Sequence, residues 1–102
     1  MTRHDKLVRD LIPEIIRASG RNAVTHVADD AEYAARLNEK LTEELREYLA
    51  AESLEEMADL FEVISAVLAL RGWSFEAVLA EQERKREARG GFALRIVLEE
   101  TS

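Results

Sequence analysis

The stretch LTEELREYLAAESLEEMADLFE, residues 41–62, decides the fold. It contains the end of one amphipathic helix, the short turn Ala51-Glu52-Ser53 and the first turns of a second helix. Two helices joined by so short a connection fold back on each other as an antiparallel pair. The sequence therefore predicts a helical hairpin at the centre of the protein.

Four helices are predicted, and each has residues at its ends that favour helix initiation or termination. Asp10 and Ser74 are expected N-caps, and Gly20, Gly72 and Gly90 follow helix ends. The predicted helices run, in chain order, over about 11–18, from 29 or 30 to about 50, over about 54–71 and over about 75–89.

Two short segments, 23–27 and 92–98, are rich in β-branched and apolar residues. They predict, at most, a two-stranded β-ribbon. The predicted fold is therefore mostly α, with a single domain over residues 1–102. The third helix is apolar over roughly two-thirds of its circumference, which is more than one hairpin can cover. We expect hairpins of different chains to pack as a four-helix bundle, in a homodimer or a higher even-numbered oligomer.

Composition and charge narrow the class of protein. The 102 residues are 47 % apolar and include no cysteine, which excludes disulfides and thiolate metal sites. The 14 basic and 21 acidic residues give a net charge of −7, which disfavours duplex nucleic acid as a partner. No apolar stretch is long enough to cross a bilayer, and no secretory signal is visible. A cytoplasmic protein without a membrane partner is the expectation.

Acidic residues enter the apolar face of the second helix. With Leu37 at zero on a helical wheel, Glu44 falls at about −20°, inside the apolar stripe. Glu47 falls at about −80°, on the edge of the stripe, whereas Glu43 points away at about −120°. Glu44 is therefore the anomalous residue, because carboxylates are seldom buried without a partner.

The third helix shows the same pattern, with Glu56 among apolar residues and Asp59 beside them. Both acidic pairs flank the same turn, so the hairpin brings all four carboxylates together. Such groups repel one another and lose hydration unless a cation lies between them. All-oxygen ligation suits Mg²⁺, or Mn²⁺, better than zinc. We therefore predict a metal site formed by Glu44, Glu47, Glu56 and Asp59.

A helix cap and a di-iron site compete with this prediction. Ser53 and Glu56 fit a capping box, in which Glu56 reaches back to the N–H group of Ser53. That arrangement accounts for Glu56 but not for Glu44. A di-iron carboxylate bundle is disfavoured, because the sequence lacks the Glu-x-x-His pairs that such sites need.

The acidic residues resemble the hallmark of the MazG-like, all-α nucleoside triphosphate pyrophosphohydrolase superfamily, which includes phosphoribosyl-ATP pyrophosphohydrolases. Its E-E-x-x-E and E-x-x-D elements are matched by Glu43-Glu44-x-x-Glu47 and Glu56-x-x-Asp59. The blocks KLVRDLIP, residues 6–13, and KREARGGF, residues 85–92, are similar to a small-protein branch of this superfamily. The resemblance therefore spans most of the chain. The sequence differs from many members of the superfamily in one respect, the short connection of eight residues between Glu47 and Glu56.

The resemblance implies a reaction and a set of site residues. Members of the superfamily hydrolyse a nucleotide between its α- and β-phosphates and release a nucleoside monophosphate and pyrophosphate, with Mg²⁺ as cofactor. Metal ligation and catalysis are implied for Glu44, Glu47, Glu56 and Asp59. Cationic side chains that could bind phosphate are Lys6, Arg9, Lys40, Lys85, Arg86 and Arg89.

The sequence leaves several alternatives open. The basic residues near position 89 could equally complement the dipole of the fourth helix. The substrate could be a nucleoside triphosphate or phosphoribosyl-ATP. The chain could also be a non-catalytic helical dimerisation or regulatory module, in which the acids serve as caps and surface pairs.

Overall fold

The computed structural model describes residues 3–102, and every regular element in that range is a helix. The mostly α fold predicted from the sequence is confirmed, and the helix bounds agree with the predicted ones to within one or two residues. The four helices are α1 (Ile12–Ala18), α2 (Asp30–Ala51), α3 (Leu54–Arg71) and α4 (Phe75–Arg89).

Side-chain caps set the starts of the three longer helices. Asp29 caps α2, and the Oγ atoms of Ser53 and Ser74 accept backbone N–H groups at the starts of α3 and α4. The turn between α3 and α4 depends on Gly72, whose φ of 73° lies in the left-handed region that glycine adopts without strain. These local signals explain why the helix bounds could be predicted.

The predicted N-cap of α1 is wrong. The helix begins after Leu11, and no side chain caps it. An N-cap at Asp10 would need a free N–H group two or three residues later. The N–H of Ile12 already donates to the carbonyl oxygen of Arg9 at 3.1 Å, and Pro13 has no N–H to offer.

The β-ribbon, which the sequence predicted at most, is not formed, since residues 3–102 contain no strand. The segments 23–27 and 92–98 have no regular secondary structure. Their apolar side chains are largely exposed, for example Val27 at 97 % and Phe92 at 98 %. An isolated two-stranded ribbon is marginal unless another element covers one of its faces. Within residues 3–102 no strand or helix covers the apolar side chains of these segments, and β-propensity alone does not pair them.

The core lies between α2 and α3, which pack against each other as the predicted hairpin. Leu37 on α2 and Val63 on α3 are buried at 2 % and 8 % exposure, and Glu44 is buried with them. The turn between these helices places Glu52 in the left-handed region, with φ of 49°. The hairpin therefore holds the end of α2 and the start of α3 side by side.

The chain is elongated for its size. Its radius of gyration is 18.4 Å, and it measures 61 × 30 × 25 Å, whereas a compact domain of this length has a radius of about 13 Å. Helix α4 bends away from α3 by 104°. Large apolar side chains are exposed on both helices and in the turn between them, among them Phe61, Leu70, Trp73, Phe75 and Leu79.

Within residues 3–102, no helix is both long enough and apolar enough to cross a membrane alone. The lengths and compositions of α3 and α4 would suffice only if the two helices were taken together, across the bend between them.

Candidate metal centre

The structure brings acidic side chains from the last turns of α2 and the first turns of α3 to one place. Carboxylate oxygens of Glu44, Glu56 and Asp59 lie within 4.8 Å of one another, and those of Glu43, Glu44 and Glu47 do so as well. Glu44 belongs to both groups and joins them. We call these five residues the acid cluster. It contains all four of the carboxylates that the sequence singled out.

Glu44 is the most deeply placed acid, with 6 % of its surface exposed. Its Oε1 atom lies 3.3 Å from the Nζ atom of Lys40, one helical turn earlier. Its Oε2 atom is buried and has no hydrogen-bond partner. A buried carboxylate oxygen without a donor is costly, and the cost falls when a cation binds it.

Glu56 presents a second oxygen of the same kind. Its backbone N–H donates to Ser53 Oγ at 3.2 Å, as a capped helix start requires. The Oε2 atom of its side chain is nevertheless buried without a partner. The cap therefore explains the position of Glu56 on α3 and leaves this carboxylate oxygen uncompensated.

Glu47 lies at the exposed side of the acid cluster. The negative charge of Glu44 raises the pKa of Glu47, and partial desolvation, a side-chain hydrogen bond with Glu44 and the charges of Glu43 and Glu56 act in the same direction. A carboxylate with a raised pKa holds a proton more readily than an isolated one. In the absence of a cation, a proton on Glu47 would reduce the repulsion between the carboxylates of the cluster.

Three cationic side chains surround the acid cluster. Lys6 contacts Oε1 of Glu43 at 3.1 Å, and Arg9 contacts Oδ1 of Asp59 at 2.9 Å. Lys40 lies between Glu43 and Glu44, at 3.6 and 3.3 Å. Five carboxylates against three cations leave a formal deficit of two positive charges, which one divalent ion would supply.

Glu43 was placed outside the site by the helical wheel, and the structure places it inside. Burial raises the pKa of Glu43, but the hydrogen bond from Lys6 and the charge of Lys40 outweigh it, so the pKa lies below the ordinary value. The sequence signal that could have located Glu43 is the i,i+3 spacing from Lys40. Its contact with Lys6 spans 37 positions and has no local signal.

The other predicted phosphate-binding residues lie elsewhere. Lys85, Arg86 and Arg89 are exposed on the last turns of α4. Among residues 3–102, no ion pair joins any of these three to the acid cluster. Arg86 and Arg89 occupy the C-terminal turn, where basic side chains complement the helix dipole.

The donor set fits a hard divalent cation. Glu44, Glu56 and Asp59 offer oxygens from two helices within ligand spacing, and Glu47 offers another at the exposed side. Two of these residues have buried oxygens that lack any donor within the described chain. Oxygen ligands of this type are preferred by Mg²⁺ and Mn²⁺.

Comparison with known proteins finds a partial relative of this chain. No family model matches the sequence, and no solved structure matches it. The chain is similar to an uncharacterized protein of Mycolicibacterium smegmatis, with 54 % identity over 48 residues. The match covers 47 % of this chain and 49 % of that protein, so the chain spans about half the length of the relative it matches.

Proposed function

We propose that the protein is a Mg²⁺-dependent nucleotide pyrophosphohydrolase of the MazG-like type. Its substrate would be a nucleoside triphosphate, or a related nucleotide such as phosphoribosyl-ATP. The observation that carries the proposal is the buried, unpartnered Oε2 atom of Glu44 at the centre of five converging carboxylates. The resemblance of these acids to the superfamily hallmark then favours phosphoanhydride hydrolysis over other uses of a divalent ion.

The reaction would add the oxygen of water to one phosphorus of the α–β anhydride and break that phosphorus's bond to the bridging oxygen. The products would be a nucleoside monophosphate and pyrophosphate. When bound, Mg²⁺ would neutralise phosphate oxygens and make water easier to deprotonate. Glu44, Glu56 and Asp59 would hold the ion. Glu47, at the exposed side and with a raised pKa, would be the residue best suited to accept the proton.

The cations beside the acid cluster would contact the nucleotide. Lys6 and Arg9 are about half exposed, and each pairs with one outer acid. A triphosphate delivered with Mg²⁺ brings anionic oxygens to the same place, so these side chains could turn from carboxylate to phosphate. Their positive charge would then stabilise the charge that develops on the leaving group.

A second copy of the chain would complete the fold. The elongated shape and the exposed apolar residues of α3 and α4 support packing of hairpins as a four-helix bundle in a homodimer or a higher even-numbered oligomer.

The test is pyrophosphate release from a panel of nucleoside triphosphates, deoxynucleoside triphosphates and phosphoribosyl-ATP, with Mg²⁺, Mn²⁺ or EDTA. We expect release of pyrophosphate with the metals and none with EDTA. Glu44→Gln should remove activity while the helical content is kept. Glu55→Gln is the matched control, because Glu55 lies exposed on α3 and outside the acid cluster. Metal-dependent release by Glu44→Gln at the wild-type rate would contradict the proposed site.

The competing function is a non-catalytic helical dimerisation or regulatory module, which the exposed apolar surface also favours. A module of that kind gains nothing from a carboxylate in its apolar stripe. It would release no pyrophosphate from any nucleotide in the panel, and metal would not raise its melting temperature.

A further inference from the structure

Arg36 on α2 joins its helix to the N-terminal part of the chain, and every nitrogen of its guanidinium group lies near an acceptor. Its Nε donates to Glu32 Oε2 at 3.3 Å, and its Nη1 donates to Glu39 Oε2 at 3.3 Å. Nη1 also donates to the backbone carbonyl oxygen of Asp5 at 2.7 Å, and Nη2 lies 3.5 Å from Asp5 Oδ1. Two acceptors on its own helix therefore orient the group, and the remaining donors hold Asp5.

Asp5 begins a segment that crosses the acid cluster. We call residues 5–9 the N-terminal arm. Asp5 has φ of 51°, a left-handed conformation that a residue other than glycine keeps when its surroundings hold it there. Lys6, directly after it, contacts Glu43 on α2, and Arg9 contacts Asp59 on α3. The arm thus bridges both helices of the hairpin at the metal centre.

A residue of the loop before α2 contacts one of the carboxylates that orient Arg36. His26 Nε2 lies 2.9 Å from both carboxylate oxygens of Glu32, the same carboxylate that receives Nε of Arg36. Glu32 is in turn held at the first turn of α2, where its N–H donates to Asp29. The side chain of Arg36 is 24 % exposed and has little freedom to leave this network.

We infer that Arg36 is a positioning residue for the metal centre: it fixes Asp5, and thereby places Lys6 and Arg9 against the acid cluster. The inference rests on the proposed function, because it assigns a purpose to those two cations only if the cluster binds a metal ion and phosphate. Arg36 touches neither the carboxylates of the cluster nor the space between them, so its effect reaches the site through the arm.

The position of the arm has opposite consequences for a metal ion and for a phosphate. Without nucleotide, Lys6 and Arg9 repel an incoming divalent ion and compete for Glu43 and Asp59. With nucleotide, the same two charges attract phosphate oxygens. Loosening the arm should therefore strengthen the binding of the metal alone and weaken the binding of a phosphate ligand with the metal. A general loss of structure would weaken both.

The experiment compares wild type with Arg36→Ala and Arg36→Lys by calorimetry. Mn²⁺ alone is titrated first, and pyrophosphate is titrated in the presence of Mg²⁺. For both variants we expect roughly 3- to 10-fold tighter binding of Mn²⁺ and weaker binding of pyrophosphate by a similar factor. Arg36→Lys keeps the charge but cannot reproduce the forked contacts, so it separates position from charge.

A second readout follows the arm without any ligand. Lys6 and Arg9 are trypsin sites within the arm, and the rate at which the N-terminal peptide is released reports how firmly the arm is held. We expect faster release in both Arg36 variants. Arg84→Ala is the matched control, since Arg84 also pairs with an acid on its own helix, Glu81, but lies on α4. It should leave binding and cleavage of the arm at the wild-type level.

The outcomes separate this inference from the proposed function. If wild type binds Mn²⁺ and releases pyrophosphate from nucleotides, but both Arg36 variants match it in binding and proteolysis, the positioning role is wrong and the proposed function stands. If Arg36→Lys behaves as wild type while Arg36→Ala does not, charge and not position is responsible, and the inference is overturned. If wild type binds no Mn²⁺, both proposals are overturned.

Discussion

Lys40 Nζ lies 3.3 Å from Oε1 of Glu44, whereas the Oε2 atom of the same carboxylate is buried without a hydrogen-bond partner. One half of the carboxylate is thus compensated within its own helix, and the other half is directed into a group of further acids. A surface ion pair needs no such arrangement. This relationship supports the proposal that the acid cluster binds a cation in addition to Lys40.

The side-chain cap of α3 leads to a first prediction, about the stability of the protein. Ser53 Oγ accepts the N–H group of Glu56 and so sets the start of the helix that carries two of the acids. Ser53→Ala should lower the free energy of unfolding by about 1 kcal/mol, which corresponds to a fall in Tm of roughly 4–8 °C. Thermal unfolding followed by circular dichroism measures this change.

Ser65→Ala is the control for that prediction. Ser65 lies inside α3 and its hydroxyl donates to the carbonyl oxygen of Phe61. Alanine is the better helix former there, so this variant should be as stable as wild type or slightly more stable. Equal losses in the two variants would show that the cap at Ser53 has no special role.

The raised pKa of Glu47 predicts a pH dependence of stability in the metal-free protein. The charge of Glu44 disfavours ionised Glu47 in the folded chain, so the unfolded chain loses this proton at lower pH. The metal-free protein should therefore lose stability as pH rises from the ordinary glutamate range to the raised value. Below that range both states keep the proton, and the effect vanishes.

Glu47→Gln tests this dependence, because glutamine does not ionise. In EDTA, the variant should be more stable than wild type near neutral pH, and the difference should disappear near pH 4. Unfolding in urea at several pH values measures it. A difference of the same size at every pH would mean that the charge of Glu47 is not its cause.

The hairpin could be predicted from the sequence because its signals are local. Ser53 and Gly72 are cap residues at the ends of α3, and the wheel position of Glu44 follows from its own helix. The wheel position of Glu43 did not place it in the cluster, and its contact with Lys6, which is distant in sequence, has no local signal. The role inferred for Arg36 has the same origin in a contact with Asp5.

The β-ribbon that the sequence allowed does not form, for a related reason. Residues such as Val24 and Ile96 have high β-propensity, but propensity expresses how well a side chain fits a covered, pleated surface. Both side chains are at least 80 % exposed in this chain, so no such surface exists. Local pattern is therefore sufficient for capped helices and insufficient for strands that need a partner.

The exposed apolar surface predicts self-association. Phe61 is 54 % exposed and borders a shallow apolar groove on α3 with Leu54 and Met57. Light scattering at micromolar concentration should give at least twice the chain mass of 11.6 kDa. Phe61→Arg should shift the protein toward the monomer, because an arginine in the interface would be buried without a partner.

Val27→Arg provides the comparison for that variant. Val27 is 97 % exposed and lies in the segment before α2, outside the helical faces. This variant should keep the mass of the wild-type assembly. A wild-type protein that is strictly monomeric would contradict the bundle, and an unchanged assembly of Phe61→Arg would place the interface on another face.

The central claim is that the acid cluster binds a divalent cation, and calorimetric titration of Mn²⁺ into the metal-free protein tests it most directly. We predict saturable binding by wild type and by Glu55→Gln, together with a rise in Tm that EDTA reverses. At a free Mn²⁺ concentration of about 100 times the Kd, binding stabilises the folded state by about 2.7 kcal/mol. Glu44→Gln should lose both effects and keep its helices. Equal Mn²⁺ binding by wild type and Glu44→Gln, or no binding by wild type, would contradict the claim.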